Sequence, residues 1–232
     1  MEITMRVFRY NPESGQTKPR YDTFTLEADP SDRILDLLEN IKAYRDSSLS
    51  FRRSCAHGVC GSDAMRINGH NALACKVLVG DLGTDKITVE PLLGLQVIKD
   101  FIVDMEPFFE SYRSVMPYMV SNERPADGKE HLQSVEERER FDDTTKCILC
   151  AACTTSCPSF WSNDKYVGPA AIVNAHRFIF DSRDQASEER LNILNEQNGV
   201  WRCRTAFNCT EACPREIKVT QAIADVKRVL IS

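Results

Sequence analysis

Ten of the 232 residues are cysteines, and they fall in three groups: Cys55, Cys60 and Cys75; Cys147, Cys150, Cys153 and Cys157; Cys203, Cys209 and Cys213. Three chemistries compete for such a set: disulfides, zinc and iron-sulfur ligation. The opening, MEITMRVFRYNPE, has neither a signal-peptide core nor an Arg- and Ser-rich leader. This sets the expectation of a reducing compartment, where disulfides are disfavoured. Structural zinc takes four ligands, usually as two separated pairs. Four cysteines packed into residues 147–157 are more crowded than that. Iron-sulfur ligation fits best.

The stretch Cys147-Ile-Leu-Cys150-Ala-Ala-Cys153-Thr-Thr-Ser-Cys157-Pro158 matches C-x2-C-x2-C-x3-C-P at every position. In two-cluster proteins with this run, the fourth cysteine of each run ligates the other cluster, so a second run is required. Cys203-x5-Cys209-x3-Cys213-Pro214 supplies it, with Ala206 in place of the second cysteine. Exchanging the fourth ligands gives a 4Fe-4S site of Cys147, Cys150, Cys153 and Cys213. It leaves Cys157, Cys203 and Cys209, three thiolates that suit a 3Fe-4S cluster lacking the corner at Ala206. The first group follows the C-x4-C-x2-C pattern of plant-type 2Fe-2S sites, with Cys75 as the distant ligand. Asp63 stands where the third cysteine should be. A carboxylate carries the same unit charge as a thiolate, so Asp63 is a candidate ligand. The alternative is that Asp63 caps the loop by hydrogen bonding while water or another residue binds iron.

These ligands need elements to hold them. Residues 3–9 alternate as a strand does, residues 20–27 form a second run rich in Thr, Tyr and Phe, and together they are expected to make a hairpin. Asp29-Pro30 reads as an N-cap and first helical position, ahead of a core-facing stripe of Ile34, Leu37, Leu38 and Ile41. Gly58 and Gly61 give the Cys55–Asp63 loop its freedom. A strand at 65–67, an Asn68-Gly69 turn and a strand at 86–90 complete a small mixed sheet. The outline is α+β: an N-terminal β-grasp plant-type ferredoxin domain over residues 1–105, then an all-helical bacterial-ferredoxin-like domain over 106–232. Residues 107–112 and 122–129 read as connecting material. Helices are expected from Pro169, over 188–195, and from a Thr220 cap. The charged tract 136–146 reads as a solvated face.

Composition narrows the function classes. Apolar residues make up 42% and charged residues 27%, with ten glycines and ten prolines, so disordered and collagen-like classes are excluded. No run approaches the ~18–20 apolar residues that span a bilayer. A net charge of −5 with interspersed signs argues against a nucleic-acid partner. His57, His70, His131 and His176 have no ligand spacing among themselves.

The three cysteine groups in this order, with the stretches Ser50–Asp63, Cys147-Ile-Leu-Cys150 and His176-Arg-Phe-Ile-Phe-Asp-Ser-Arg183, closely resemble the iron-sulfur subunit of succinate dehydrogenase (respiratory complex II), sister to that of fumarate reductase. The resemblance covers essentially the whole chain. It implies a respiratory-chain and tricarboxylic-acid-cycle oxidoreductase subunit. Electrons from a covalent FAD in a flavoprotein subunit would pass through 2Fe-2S, 4Fe-4S and 3Fe-4S clusters to a membrane quinone, menaquinone among the candidates, at the interface with membrane-anchor subunits. Its place would be peripheral, on the cytoplasmic face of a bacterial plasma membrane. Aspartate at 63 is similar to several succinate dehydrogenases, whereas fumarate reductases usually have cysteine; the reverse reaction is the alternative. Pro158, Trp161, Ser162, Arg204 and Ala206 match quinone-pocket positions. Well-known members carry two adjacent tryptophans and a histidine where this chain has Trp161, Ser162 and Arg204. Arginine cannot deprotonate, so Arg204 can stabilise negative charge on a bound quinone but cannot relay protons. Arg52 and Arg53 are candidate charges near the two-iron loop, or contacts with the flavoprotein.

Overall fold

The computed structural model describes residues 1–122, 125 and 128–232. In chain order the elements are β1 (Glu2–Arg9), β2 (Arg20–Glu27), α1 (Ile34–Tyr44), β3 (Ala64–Ile67), β4 (His70–Leu73), β5 (Lys86–Glu90), β6 (Val97–Lys99) and β7 (Ile102–Val103). Then come α2 (Glu106–Ser114), α3 (Val135–Asp142), α4 (Ala152–Thr155), α5 (Pro158–Ser162), α6 (Gly168–Ile179), α7 (Ser187–Asn195), α8 (Asn208–Glu211) and α9 (Val219–Ile231). The chain divides into two compact units. One comprises Met1–Met105 with Ile148–Ser156, the other Glu106–Cys147 with Cys157–Ser232. The segment bearing Cys150 and Cys153 thus packs with the first unit.

In the first unit a five-stranded mixed sheet runs in the order β2-β1-β5-β3-β4. Ile3, Met5 and Val7 of β1 point into the core on alternate positions, as period-two patterning requires. β1 pairs antiparallel with β2, Met5 opposite Phe24, and parallel with β5, Met5 opposite Ile87. Two parallel neighbours need a crossover, and α1 lies within it. Its buried Ile34, Leu35, Leu37, Leu38 and Ile41 seal one face of the unit. Truncating one of them, such as Leu38→Ala, costs about 2–5 kcal/mol. β3 and β4 form a hairpin over Asn68 (φ 47°) and Gly69 (φ 87°), both left-handed as the tight two-residue turn demands.

Helix α1 begins four residues later than Asp29-Pro30 predicts. The Asp29 carboxylate is instead satisfied locally by the Ser31 N–H and hydroxyl, at 2.9 and 2.6 Å. The first helical N–H groups, of Ile34 and Leu35, donate to Val77 and Ala74 carbonyls, which ties α1 to the chain around Cys75. Arg33 and Asp36 close the helix end reciprocally. At the opposite side, buried Arg9 bonds Asp100 (3.1 Å), Asp22 (3.2 Å), Ser48 (2.7 Å) and Asp46. Asp100 in turn accepts from the Ser50 N–H at 2.9 Å. This network fixes where the cysteine loop departs from the core.

In the second unit the described elements are helices and short 3-10 turns. α6 is buried along nearly its whole length and packs against α9, α7, α2 and α3. Residues 107–112, expected as connecting material, lie in helix α2. The tract expected over 122–129 falls partly outside the described residues. α6 and α7 stand where expected, and the 136–146 tract is largely exposed, anchored by buried Phe141. Thr220 is the second residue of α9, not its cap. Its hydroxyl lies 2.8 Å from that of Thr210 and 3.6 Å from Cys209 Sγ. Arg190 of α7 and Asp184, just ahead of that helix, form an ion pair whose side chains are fully buried.

Candidate functional site

The Cys55–Asp63 loop is set between α1 and β3. Ala56 (φ 57°), Gly58 (φ 83°) and Gly61 (φ 70°) adopt left-handed backbone, which turns successive N–H groups inward as an anion-binding nest does. The His57 N–H reaches Cys55 Sγ at 3.4 Å, the Cys55 N–H reaches Cys60 Sγ at 3.5 Å, and the Ser62 hydroxyl lies 3.1 Å from Cys60 Sγ. The His57 N–H, the Cys60 thiol and the Val59 N–H together pull the Cys55 thiol down to about 6, so the loop favours a thiolate. Arg33, 37% exposed at its side chain, holds the Ala56 carbonyl at 2.7 Å while its other nitrogens grip Asp36.

Asp63 is 2% exposed. One oxygen, Oδ2, accepts from the Cys75 N–H at 2.7 Å, and the other, Oδ1, is buried with no hydrogen-bond partner. Burial, and then the neighbouring Asp63, push the Cys75 thiol up to about 12. A buried carboxylate with an open oxygen beside a buried thiol is costly as it stands. A cation between them reverses that logic, because it deprotonates the thiol and satisfies the carboxylate. The donor set Cys55, Cys60, Asp63 and Cys75 therefore fits an iron centre. Arg53 pairs with Glu39 at 3.1 Å, while Arg52 is half-buried and burial alone lowers its guanidinium.

The two late cysteine runs share one backbone shape. A 3-10 turn precedes each, Asp143–Lys146 and Val200–Arg202. Cys147 (φ −62°, ψ 127°) and Cys203 (φ −65°, ψ 123°) follow in the same extended conformation. Two and four residues later come left-handed Leu149 and Ala151 in one run, Thr205 and Phe207 in the other. Short helices α4 and α8 then begin at the same offset, and each run ends in Cys-Pro. Left-handed backbone at leucine, threonine and phenylalanine is disfavoured and marks a site where the fold enforces it.

Cys157 lines one shallow surface pocket together with Cys203, Cys209 and Ala206. The last cysteine of the first run thus lies with two cysteines of the second. Burial pushes the Cys209 thiol up, and the nearby Cys157 and Cys203 add to this. Thr220 faces Cys209, and the Thr205 N–H reaches Cys203 Sγ at 3.5 Å. Asn174 of α6 donates to Cys147 Sγ at 3.5 Å. Among the described residues no three His, Cys, Asp or Glu side chains converge on a single-ion site. Cys150 and Cys153 lie in the first unit, with Cys153 beside the Thr154 hydroxyl, and Cys213 follows α8 in the second.

Pro158, Arg204 and Ala206 line the same pocket and are exposed. Trp161, 48% exposed, and Ser162 are on α5 and are not part of its wall. The Ser162 hydroxyl is turned back to the Ser159 carbonyl at 3.1 Å. Phe207, 53% exposed on the pocket rim, is an apolar feature that spacing did not single out. Arg33, Asn71 and Asn174 were also missed: each reaches its partner across a separation of 23 residues or more, and no local pattern marks them.

The profile of the 2Fe-2S iron-sulfur cluster binding domain family matches residues 4–110, and that of the 4Fe-4S dicluster domain family matches residues 140–214. The mitochondrial succinate dehydrogenase [ubiquinone] iron-sulfur subunit of Candida glabrata is 40% identical over 229 residues, 98% of this chain and 90% of that protein. A chain of the Mycobacterium smegmatis Sdh1 complex, solved in the apo form, superposes with a TM-score of 0.87 at 25% identity, covering 99% of this chain and 95% of that one. A hypothetical protein from Helicobacter pylori shares the fold, with a TM-score of 0.61 at 16% identity over 99% of this chain and 39% of that chain. Among the described residues no helix is long and apolar enough to cross a membrane. With two iron-sulfur domains in sequence and a relative alignable along nearly the whole chain, this protein belongs to the succinate dehydrogenase iron-sulfur subunit family.

Proposed function

We propose that the chain is the electron-transfer subunit of a succinate:quinone oxidoreductase, carrying electrons from an FAD flavoprotein partner to a membrane quinone. When bound, the iron-sulfur groups take up and release single electrons. The first unit's fold is read as a β-grasp plant-type ferredoxin, the second as bacterial-ferredoxin-like. Cys55, Cys60, Asp63 and Cys75 hold the 2Fe-2S group; Cys147, Cys150, Cys153 and Cys213 hold the 4Fe-4S group; Cys157, Cys203 and Cys209 hold the 3Fe-4S group. The observation that carries this reading is the shared pocket of Cys157, Cys203, Cys209 and Ala206, which supplies three sulfurs and leaves one corner bare.

Around these ligands the chain supplies electrostatics. N–H and hydroxyl donors to the sulfurs stabilise negative charge and raise a reduction potential. His57, Ser62, Asn174, Thr205 and Thr220 occupy such positions. The exposed rim of Pro158, Arg204, Ala206 and Phe207, with Trp161 and Ser162 on α5, faces the quinone and the membrane-anchor subunits. Arg204 places a fixed positive charge there. The assembly sits on the cytoplasmic face of a bacterial plasma membrane.

Iron and acid-labile sulfide analysis of the anaerobically purified complex, with paramagnetic resonance spectra, tests the reading. About nine irons per chain, an oxidised three-iron signal and bleaching of the visible absorbance by succinate are expected. A colourless, zinc-loaded chain would refute it. Bleaching by a low-potential donor but not by succinate would favour the fumarate-reducing direction.

A further inference from the structure

Gly61 directly follows Cys60 and has φ +70°, but its conformation is the lesser part of what the fold asks of it. A Cβ built on Gly61 would stand 2.7 Å from Cys150 Cβ, 3.0 Å from Cys150 Cα and 3.1 Å from the Ile148 carbonyl oxygen. Two of these three atoms are backbone, so a side chain here forces the loop after Cys60 and the segment that bears Cys150 apart. Other left-handed glycines differ. Gly15 and Gly83 have nothing within 4 Å of a built Cβ, and Gly58 meets only the flexible tail of Lys76.

The opposing segment is held in place. Asn71 of β4 is buried, and its Nδ2 donates to the Ala152 carbonyl at 3.1 Å and to Thr155 Oγ1 at 2.8 Å. The Thr155 hydroxyl donates in turn to the Ala151 carbonyl at 2.9 Å. One amide thus clips α4, with Cys153 within it and Cys150 just ahead of it, onto β4, the second strand after the two-iron loop.

We propose that Gly61 is a positioning residue for the electron step between the first two centres: its missing side chain lets the backbone after Cys60 lie directly on Cys150, and the electron crosses through that contact. In the loaded complex one electron would pass from the centre that Cys60 helps to hold, which would be oxidised, to the centre that Cys150 helps to hold, which would be reduced; no bond would form or break and no proton would move. The inference rests on the ligand sets proposed above. Tunnelling falls steeply with separation, so a displaced Cys150 slows the step even when both centres keep their ligands.

The test uses the purified, iron-loaded complex with Gly61→Ala, and with Gly83→Ala as the control that adds a Cβ to a left-handed glycine in open space. The readouts are iron content, the spin relaxation of the reduced two-iron signal with its neighbour reduced and oxidised, and freeze-quench transfer rates. Gly61→Ala at full iron content is expected to relax more slowly and to pass electrons onward several-fold more slowly, while Gly83→Ala behaves as the unmodified complex. Gly61→Ala that relaxes and transfers as fast as the unmodified complex overturns the proposal. Asn71→Leu, which releases the clip without touching the loop, is expected to act in the same direction. If both variants lose the four-iron centre, the unmodified complex decides: its two-iron signal must relax faster when the neighbour is paramagnetic, and no such effect overturns the proposal. An unmodified complex without any two-iron signal would instead refute the ligand assignment.

Discussion

Ala206 occupies in the second cysteine run the place that Cys150 holds in the first. Each lies between two left-handed residues, Leu149 and Ala151 around Cys150, Thr205 and Phe207 around Ala206. The runs are one backbone design used twice, and the second use omits a sulfur. The omission falls on the wall of the pocket that Cys157, Cys203 and Cys209 share.

Restoring that sulfur has a defined expectation. Ala206→Cys adds one atom at an exposed position whose backbone already matches that of a cysteine, so stability changes little, within about 0.5 kcal/mol. The oxidised three-iron signal should disappear and iron content should rise by one per chain. Spectra and metal content identical to the parent's would mean that Ala206 does not face the incomplete corner.

Asp63 separates ligand from cap. Asp63→Ala removes the acceptor for the buried Cys75 N–H, which costs about 1–3 kcal/mol whatever its other role. As a ligand, it should also take the two-iron signal with it, while Asp63→Cys keeps the centre. An Asp63→Ala protein that retains an unaltered two-iron spectrum would leave only the capping role.

Much of this was legible before any coordinates. Strand β1 follows from period-two alternation, β2 from a run rich in Thr, Tyr and Phe, and the matching shape of the two late cysteine runs from their spacing, because all three are local patterns. The start of α1 was misplaced because Asp29 satisfies itself through Ser31, whereas the true helix end is fixed by carbonyls of Ala74 and Val77, about 40 residues on. Thr220 has the chemistry of a cap, yet its hydroxyl is engaged by Thr210 and Cys209. The left-handed Thr205 and Phe207 run against their intrinsic preferences, so propensity pointed away from the conformation that tertiary structure imposes.

The buried Arg190–Asp184 pair should dominate the stability of the helical unit. Arg190 bonds Asp184 at 2.5 Å and the carbonyls of Met116 and Tyr118 at 3.0 and 2.7 Å, while Asp184 accepts from the Val120 and Ala186 N–H groups. Arg190→Ala strands a buried carboxylate and two carbonyls, at a cost of about 3–5 kcal/mol. Thermal unfolding of the holoprotein should show a drop in midpoint of several degrees. An unchanged midpoint would contradict this account of the core.

His176 gives the helical unit an acid sensitivity. It is buried, its Nδ1 is 3.4 Å from the Thr144 hydroxyl, and burial pulls its pKa below the ordinary value although Asp225, at 3.5 Å, opposes this. The unfolded chain therefore takes up the proton first as pH falls. The stability tied to neutral His176 is present above about pH 6.5 and is lost as pH falls from there through the lowered folded value. His176→Gln should flatten the dependence of the unfolding midpoint between pH 7 and 5. A parent protein whose midpoint does not fall over that range would count against the depressed value.

The crossing of fourth ligands between the two late runs is the claim on which the three-centre account turns. Paramagnetic resonance of Cys157→Ser and Cys213→Ser, each in the assembled complex, addresses it most directly. Loss of the three-iron signal with a retained four-iron signal in Cys157→Ser, and a damaged four-iron centre with an intact three-iron signal in Cys213→Ser, is the predicted pair. The opposite assignment, with each fourth cysteine serving its own run, would contradict it.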